Sequence, residues 1–179
     1  MLDHNPHDIE IMAIFLILQE GVSTPVKFKN VLEKKLSTEL VAEDQALIER
    51  IFGDLALNSQ EYDKAHDHFT ACLQVRTQDH RALTGLALVE LARGNHHKSM
   101  KYLHRAKLLC PYSPLIFNTM GTIYELLNNL KEAMVSYQWC LCLMPEHINA
   151  ETRLRKLLSL GEIRELQEIN VDSILHMRG

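Results

Sequence analysis

Ten histidines and four cysteines are the side chains of this 179-residue sequence with the most evident capacity for chemistry. A metal site needs three or four such groups converging on one point. His66 and His68 stand two apart, which on a helix sends them to different faces. His96 and His97 are adjacent at a predicted turn. His97 and His104 share a helix face seven residues apart, but Lys101 occupies the place where a third ligand would have to stand. No metal is expected, and these histidines read as solvated surface groups. Cys72, Cys110, Cys140 and Cys142 show no CxxC spacing and fall inside predicted helices. That suits small reduced thiols in a cytoplasmic protein better than disulfides or ligands. No glycine-rich phosphate loop, HExxH or nucleophile motif occurs, so neither an enzyme nor a cofactor is expected.

Composition limits the remaining classes. Apolar residues at 46% and charged residues at 23% belong to a folded chain rather than a disordered one. The net charge of −4, with acids and bases mixed along the chain, argues against nucleic acid as the partner. Asp3, His4, His7, Asp8 and Glu10 precede the first apolar run, so the basic start of a secretory signal is missing. That run, residues 11–18, is far shorter than the roughly 20 residues that span a bilayer, and no membrane insertion is expected.

The elements that must position any functional group follow from an internal period. Pro111 and Pro145 are 34 residues apart, each after an apolar helical stretch. On that period Phe52, Leu86 and Met120 share one column, and Gly53, Ala87 and Gly121 the next. Ala65, Ser99 and Ala133 form a third, all small; Phe69, Leu103 and Tyr137 a fourth, all large; Cys72, Ala106 and Cys140 a fifth, small again. Antiparallel helices approach closely only where side chains are small, and the large residues between them fill the layer. Paired helices are therefore predicted at about 42–58 and 61–75, 80–93 and 96–109, and 114–127 and 130–143. Ser113-Pro114 reads as an N-cap with proline at the first helical position, Asn129 with Glu132 as a capping box, and Gly94-Asn95 as a hairpin break.

These columns resemble the tetratricopeptide repeat, whose pattern is W-x2-L-G-x2-Y, then A-x3-F, then P. The third unit reads Phe117, Met120, Gly121, Tyr124, Ala133, Tyr137 and Pro145. The second reads Leu83, Leu86, Ala87, Ser99, Leu103 and Pro111, with Glu90 where an aromatic is usual. The first keeps Phe52, Gly53, Ala65 and Phe69 but departs at Glu49, Ala56 and Thr77. The resemblance implies an all-α, right-handed helical solenoid of three helix-turn-helix repeats over residues 46–145, divided by register into 46–79, 80–113 and 114–147. Residues 1–45 would form an N-terminal helical arm, with helices at 7–20 and 26–36. Residues 146–179 would form C-terminal capping helices at 147–159 and 162–176, because Arg155 falls where a fourth repeat would need the small residue of Gly121.

Such repeats line a concave groove with the first helix of each hairpin. Carried over by register, the peptide-binding groove comprises Leu47, Arg50, Asp54 and Leu57, then Arg81, Thr84, Leu88 and Leu91, then Leu115, Asn118, Thr122 and Glu125. The repeats that grip acidic chaperone tails use a clamp of Lys, Asn, Asn, Lys and Arg. Arg50 could stand for the first, but the others fall on Asp54, Gly85, Leu115 and Thr119, so that ligand is not expected. The layout of arm, three repeats and cap resembles the class II chaperones of bacterial type III secretion, with a similar pattern over residues 15–21 and 40–71. It implies a cytoplasmic chaperone holding a secreted client, and a homodimer formed through Ile11, Ile14, Phe15 and Leu18. Docking of the same arm onto the first repeat is the other reading of those residues. The alternative function is a scaffold subunit of a multiprotein complex, bound through the arm or the convex face.

Overall fold

The computed structural model describes residues 41–159, together with Lys27, Asn30, Val31 and Lys34, which are helical. The expected helices at 7–20 and 162–176 and the self-association residues Ile11, Ile14, Phe15 and Leu18 lie outside the described residues. Among the described residues every regular element is an α-helix, and no helix is long and apolar enough to cross a membrane. They fall into two compact units divided after Pro111.

The first unit holds α1 (Ala42–Asn58), α2 (Tyr62–Val75), α3 (His80–Ala92) and α4 (His96–Leu109). α1 pairs with α2 and α3 with α4, while α2 and α1 both meet α3. The second unit holds α5 (Pro114–Leu126), α6 (Leu130–Leu143) and α7 (Ile148–Ser159), with α6 packed between the other two. All six paired helices lie within one residue of their expected bounds.

The size columns explain the pairing. Ala65, Ser99 and Ala133 are fully buried, as are Phe69, Leu103 and Tyr137, and Cys72, Ala106 and Cys140. A Cβ added at Gly53 would stand 2.7 Å from the Phe69 ring, and one at Gly121 would stand 2.6 Å from the Tyr137 ring. Any larger residue there would wedge the hairpin open. At the equivalent place in the second hairpin stands Ala87, where the ring column carries Leu103 in place of an aromatic. Ser99 Oγ donates to the Ala87 carbonyl at 2.6 Å.

Each hairpin turns through the same backbone device. Gln60, Gly94 and Asn128 stand 34 residues apart and take left-handed φ of 61°, 78° and 58°. Their N–H groups reach back to Leu57, Leu91 and Glu125 at 3.0 Å. The following N–H groups, of Glu61, Asn95 and Asn129, reach the carbonyls of Ala56, Glu90 and Tyr124 at 2.8 Å. These two bonds satisfy carbonyls that the helix end would otherwise leave open.

The caps differ from expectation. Ser113 and Asn129 occupy the N-cap positions, but neither side chain makes a capping bond, so the capping box at Asn129 is not formed. Asp79 does cap, accepting from the N–H groups of Arg81 and Ala82 at 3.0 and 2.9 Å. The short loop before α3 holds Asp79 in extended backbone geometry, which turns its carboxylate toward the first turn. In α7, Ala150 and Leu157 are buried against α6, whereas Ile148 and Leu158 are exposed. Arg155 points to solvent and pairs with Glu151 at 2.6 Å.

Candidate functional site

In the first unit the expected groove residues divide into an interior and an accessible set. Leu47, Arg50 and Thr84 are 2%, 1% and 3% exposed and form the interior set. Helical period places them on a face but cannot say whether that face is covered. Thr84 spends its hydroxyl on the His80 carbonyl at 2.7 Å. Arg50 donates to Asp54 Oδ2 at 3.1 Å, and its Nε lies 3.9 Å from Asp79 Oδ2. Arg76 reaches the same Asp79 oxygen at 3.3 Å. The helix cap of α3 and the buried guanidinium of α1 are thus locked to one carboxylate.

Asp54, Leu57, Leu88 and Leu91 remain partly accessible and Arg81 is exposed. Leu57 leans on the core built from Ala46, Ala65, Phe69, Cys72, Ala82, Leu86 and Val89. α3 is buried continuously from Ala82 to Ala87 and again at Val89 and Glu90. Leu88 and Leu91, one turn apart, are the large apolar side chains this helix still offers to a neighbour.

In the second unit Leu115 is exposed, and Asn118, Thr122 and Glu125 are partly buried. Thr122 donates to the Asn118 carbonyl at 3.1 Å. Glu125 Oε2 accepts from Tyr137 Oη and from Arg153 Nη1, both at 2.9 Å. A single carboxylate therefore ties α5, α6 and α7 together. Burial, with Glu125 beside it, pushes the Tyr137 hydroxyl up to about 12. Asn118 Oδ1 is buried with no hydrogen-bond partner among the described residues.

Two polar substitutions in the repeat pattern have partners that the sequence did not reveal. Glu90 fills the aromatic column with a side chain that is 1% exposed. It accepts from Lys98 Nζ at 2.7 Å and from Asn95 Nδ2 at 2.8 Å, and Arg93 lies 3.5 Å away. Burial opposes its charge, but these cationic and amide donors prevail and hold the carboxyl below the usual glutamate range. Glu49 is answered by His68, whose Nδ1 lies 2.7 Å from Glu49 Oε2 and whose ring stands 6.2 Å from that of Phe52. His68 is therefore a half-buried packing residue, which corrects its reading as a solvated histidine. A polar residue in an aromatic column was the available signal for both pairs.

The four cysteines are free. Burial pushes Cys72 up to about 12 and Cys140 up to about 11, which makes both poor nucleophiles.

No protein-family model matches the chain. The human protein named tetratricopeptide repeat protein 6 is 28% identical to it over 87 residues, 49% of this chain. The match spans 16% of that protein's length. The Arabidopsis OM64 TPR domain superposes with a TM-score of 0.62 at 18% identity, covering 65% of this chain and 97% of that one. The fold is that of a tetratricopeptide-repeat protein. The first TPR of Spaghetti (RPAP3), bound to the HSP90 peptide SRMEEVD, gives a TM-score of 0.62 at 21% identity, over 66% of this chain and 94% of that TPR domain. The Yersinia enterocolitica type III secretion translocator chaperone SycD gives 0.59 at 18% identity, over 69% of this chain and 96% of its own. The TPR reading of the 34-residue columns, and the likeness of layout to the secretion chaperones, both have structural counterparts.

Proposed function

We propose that this chain is a protein-interaction module that holds a stretch of partner polypeptide along α1 and α3, the first helices of the two hairpins of its first unit, as a cytoplasmic chaperone for a secreted client. The observation that carries the reading is the partial opening of Leu88 and Leu91 on a helix otherwise buried from Ala82 to Glu90. Two apolar anchors one turn apart suit a ligand fixed by a few side chains. A TPR domain bound to a peptide and a translocator chaperone, both of the same fold, support the reading. An acidic tail is a poor guest here. Arg50 is buried against Asp54 and Asp79, and Asp54 would face the incoming carboxylates.

The test is copurification of client with the tagged full chain, identified by mass spectrometry. Leu88→Glu and Leu91→Glu each place a charge where the client's apolar side chain would sit, so each loses the client while circular dichroism stays helical. A client that survives both substitutions, but disappears on deletion of residues 1–24, would overturn the groove and favour the scaffold.

A further inference from the structure

The second helices of the three hairpins occupy equivalent places, so their outward positions can be compared one by one. On α4 the exposed residues His97, Lys101, His104, Arg105 and Leu108 follow one another along a single face. The same register on α2 reads Asp63, Asp67, Thr70, Ala71 and Gln74, and on α6 Lys131, Val135, Gln138, Trp139 and Cys142. α4 contains no acidic residue at all. In a chain of net charge −4, one helix of three carries an outer stripe whose ionisable groups are cations and histidines only.

The scaffold does not account for that stripe. A cation in the last turn of a helix complements the macrodipole, which explains Lys107. Lys101 and the histidines before it lie in the opposite half, where positive charge gains nothing from the dipole. Lys98 has its own reason, being bound to Glu90. Lys101 and Arg105 form no ion pair among the described residues, although Lys64, Arg76, Arg93, Arg153 and Arg155 each have an acidic partner. The stripe ends on Leu108, which at 84% exposure is the most exposed large apolar side chain of the described residues.

We propose that the outer face of α4 is a second docking surface, distinct from the groove, for an acidic amphipathic helix of a partner protein. His97 to Leu108 spans about 16 Å of helix, three turns. A partner helix with carboxylates one turn apart would meet Lys101 and Arg105, and one apolar residue beyond them would cover Leu108. Charge complementarity of this kind sets orientation and speeds encounter, giving a modest and salt-sensitive affinity. A nucleic acid fits less well. Two fixed cations release few counterions.

The experiment titrates the full chain into a fluorescent synthetic amphipathic peptide with glutamates one turn apart and a terminal leucine. The same peptide with glutamine for glutamate, phosphatidylserine–phosphatidylcholine vesicles and a single-stranded oligo-dT serve as comparison ligands. The acidic peptide is expected to bind, with affinity falling roughly tenfold between about 50 and about 300 mM NaCl. The exposed double substitution Lys101→Glu with Arg105→Glu should weaken it by about tenfold or more, and Lys101→Gln with Arg105→Gln by a lesser factor. Equal binding of the glutamine peptide, unchanged binding by both double variants, or binding of vesicles or oligo-dT in place of the peptide would each overturn the proposal.

Discussion

Gly85 of α3 lies against the ring of Phe69 from α2, closer than any Cβ could stand, while Gly53 of α1 approaches the same ring from its own hairpin. Phe69 is fully buried between these two glycines, so it joins the first hairpin to the second as well as α1 to α2. Gly85→Ala should destabilise the chain by roughly 1–3 kcal/mol, even though alanine is the better helix former. Phe69→Leu in the same chain should recover part of that loss, and urea unfolding of the two single variants and the double variant measures the coupling.

Gln60 adopts the left-handed turn conformation that Gly94 and Asn128 supply in the other hairpins. A glutamine gains nothing there, because its Cβ crowds the carbonyl that follows. Gln60→Gly should therefore stabilise by about 1 kcal/mol, read as a rise in the urea midpoint with unchanged slope. Gly94→Ala should lose a similar amount.

Glu90 predicts the acid side of the stability curve. Its folded pKa is lowered, so the unfolded chain takes up a proton first as pH falls. The stability it contributes is present above the free glutamate value of 4.5 and is lost as pH drops through the lower folded value. Glu90→Gln should flatten this limb. Urea midpoints measured between about pH 3 and 6 would show it.

Tyr137 predicts the alkaline side. With the folded pKa raised from 10.0 to about 12, the folded chain keeps its proton longer than the unfolded one. Its contribution is complete below pH 10 and declines as pH rises through about 12. Cys72 and Cys140 act in the same direction, beginning near 9.0. Ultraviolet titration of the folded protein should show one phenol ionising late, and Tyr137→Phe should remove that step.

Thiol labelling separates the cysteines by position. Cys110 and Cys142 are partly accessible, whereas Cys72 and Cys140 are buried with raised pKa values. A maleimide pulse on the native protein should modify the first pair, and the second only after denaturant is added.

Much of the fold was legible because the size columns constrain helix spacing directly. Glycine at 53 and 121, small residues at 65, 99 and 133, and large ones at 69, 103 and 137 leave few ways to pair the helices. Glu90 and Glu49 were not legible, since their partners lie on the adjacent helix and a column shows only the residue that departs from it. Gly85 was hidden for a related reason. It repeats nowhere in the period, and its role is to face the ring of another hairpin. Leu47, Arg50 and Thr84 have the right register for a groove, but coverage depends on what packs over them, which period alone does not contain.

The most direct measurement of the central claim is a methyl-labelled leucine spectrum of the full chain, free and saturated with the client that copurifies with it. Shifts concentrated at Leu88 and Leu91, and largely absent at buried Leu103 and outward Leu108, are the expected result. Shifts confined to Leu108, with Leu88 and Leu91 unmoved, would contradict it.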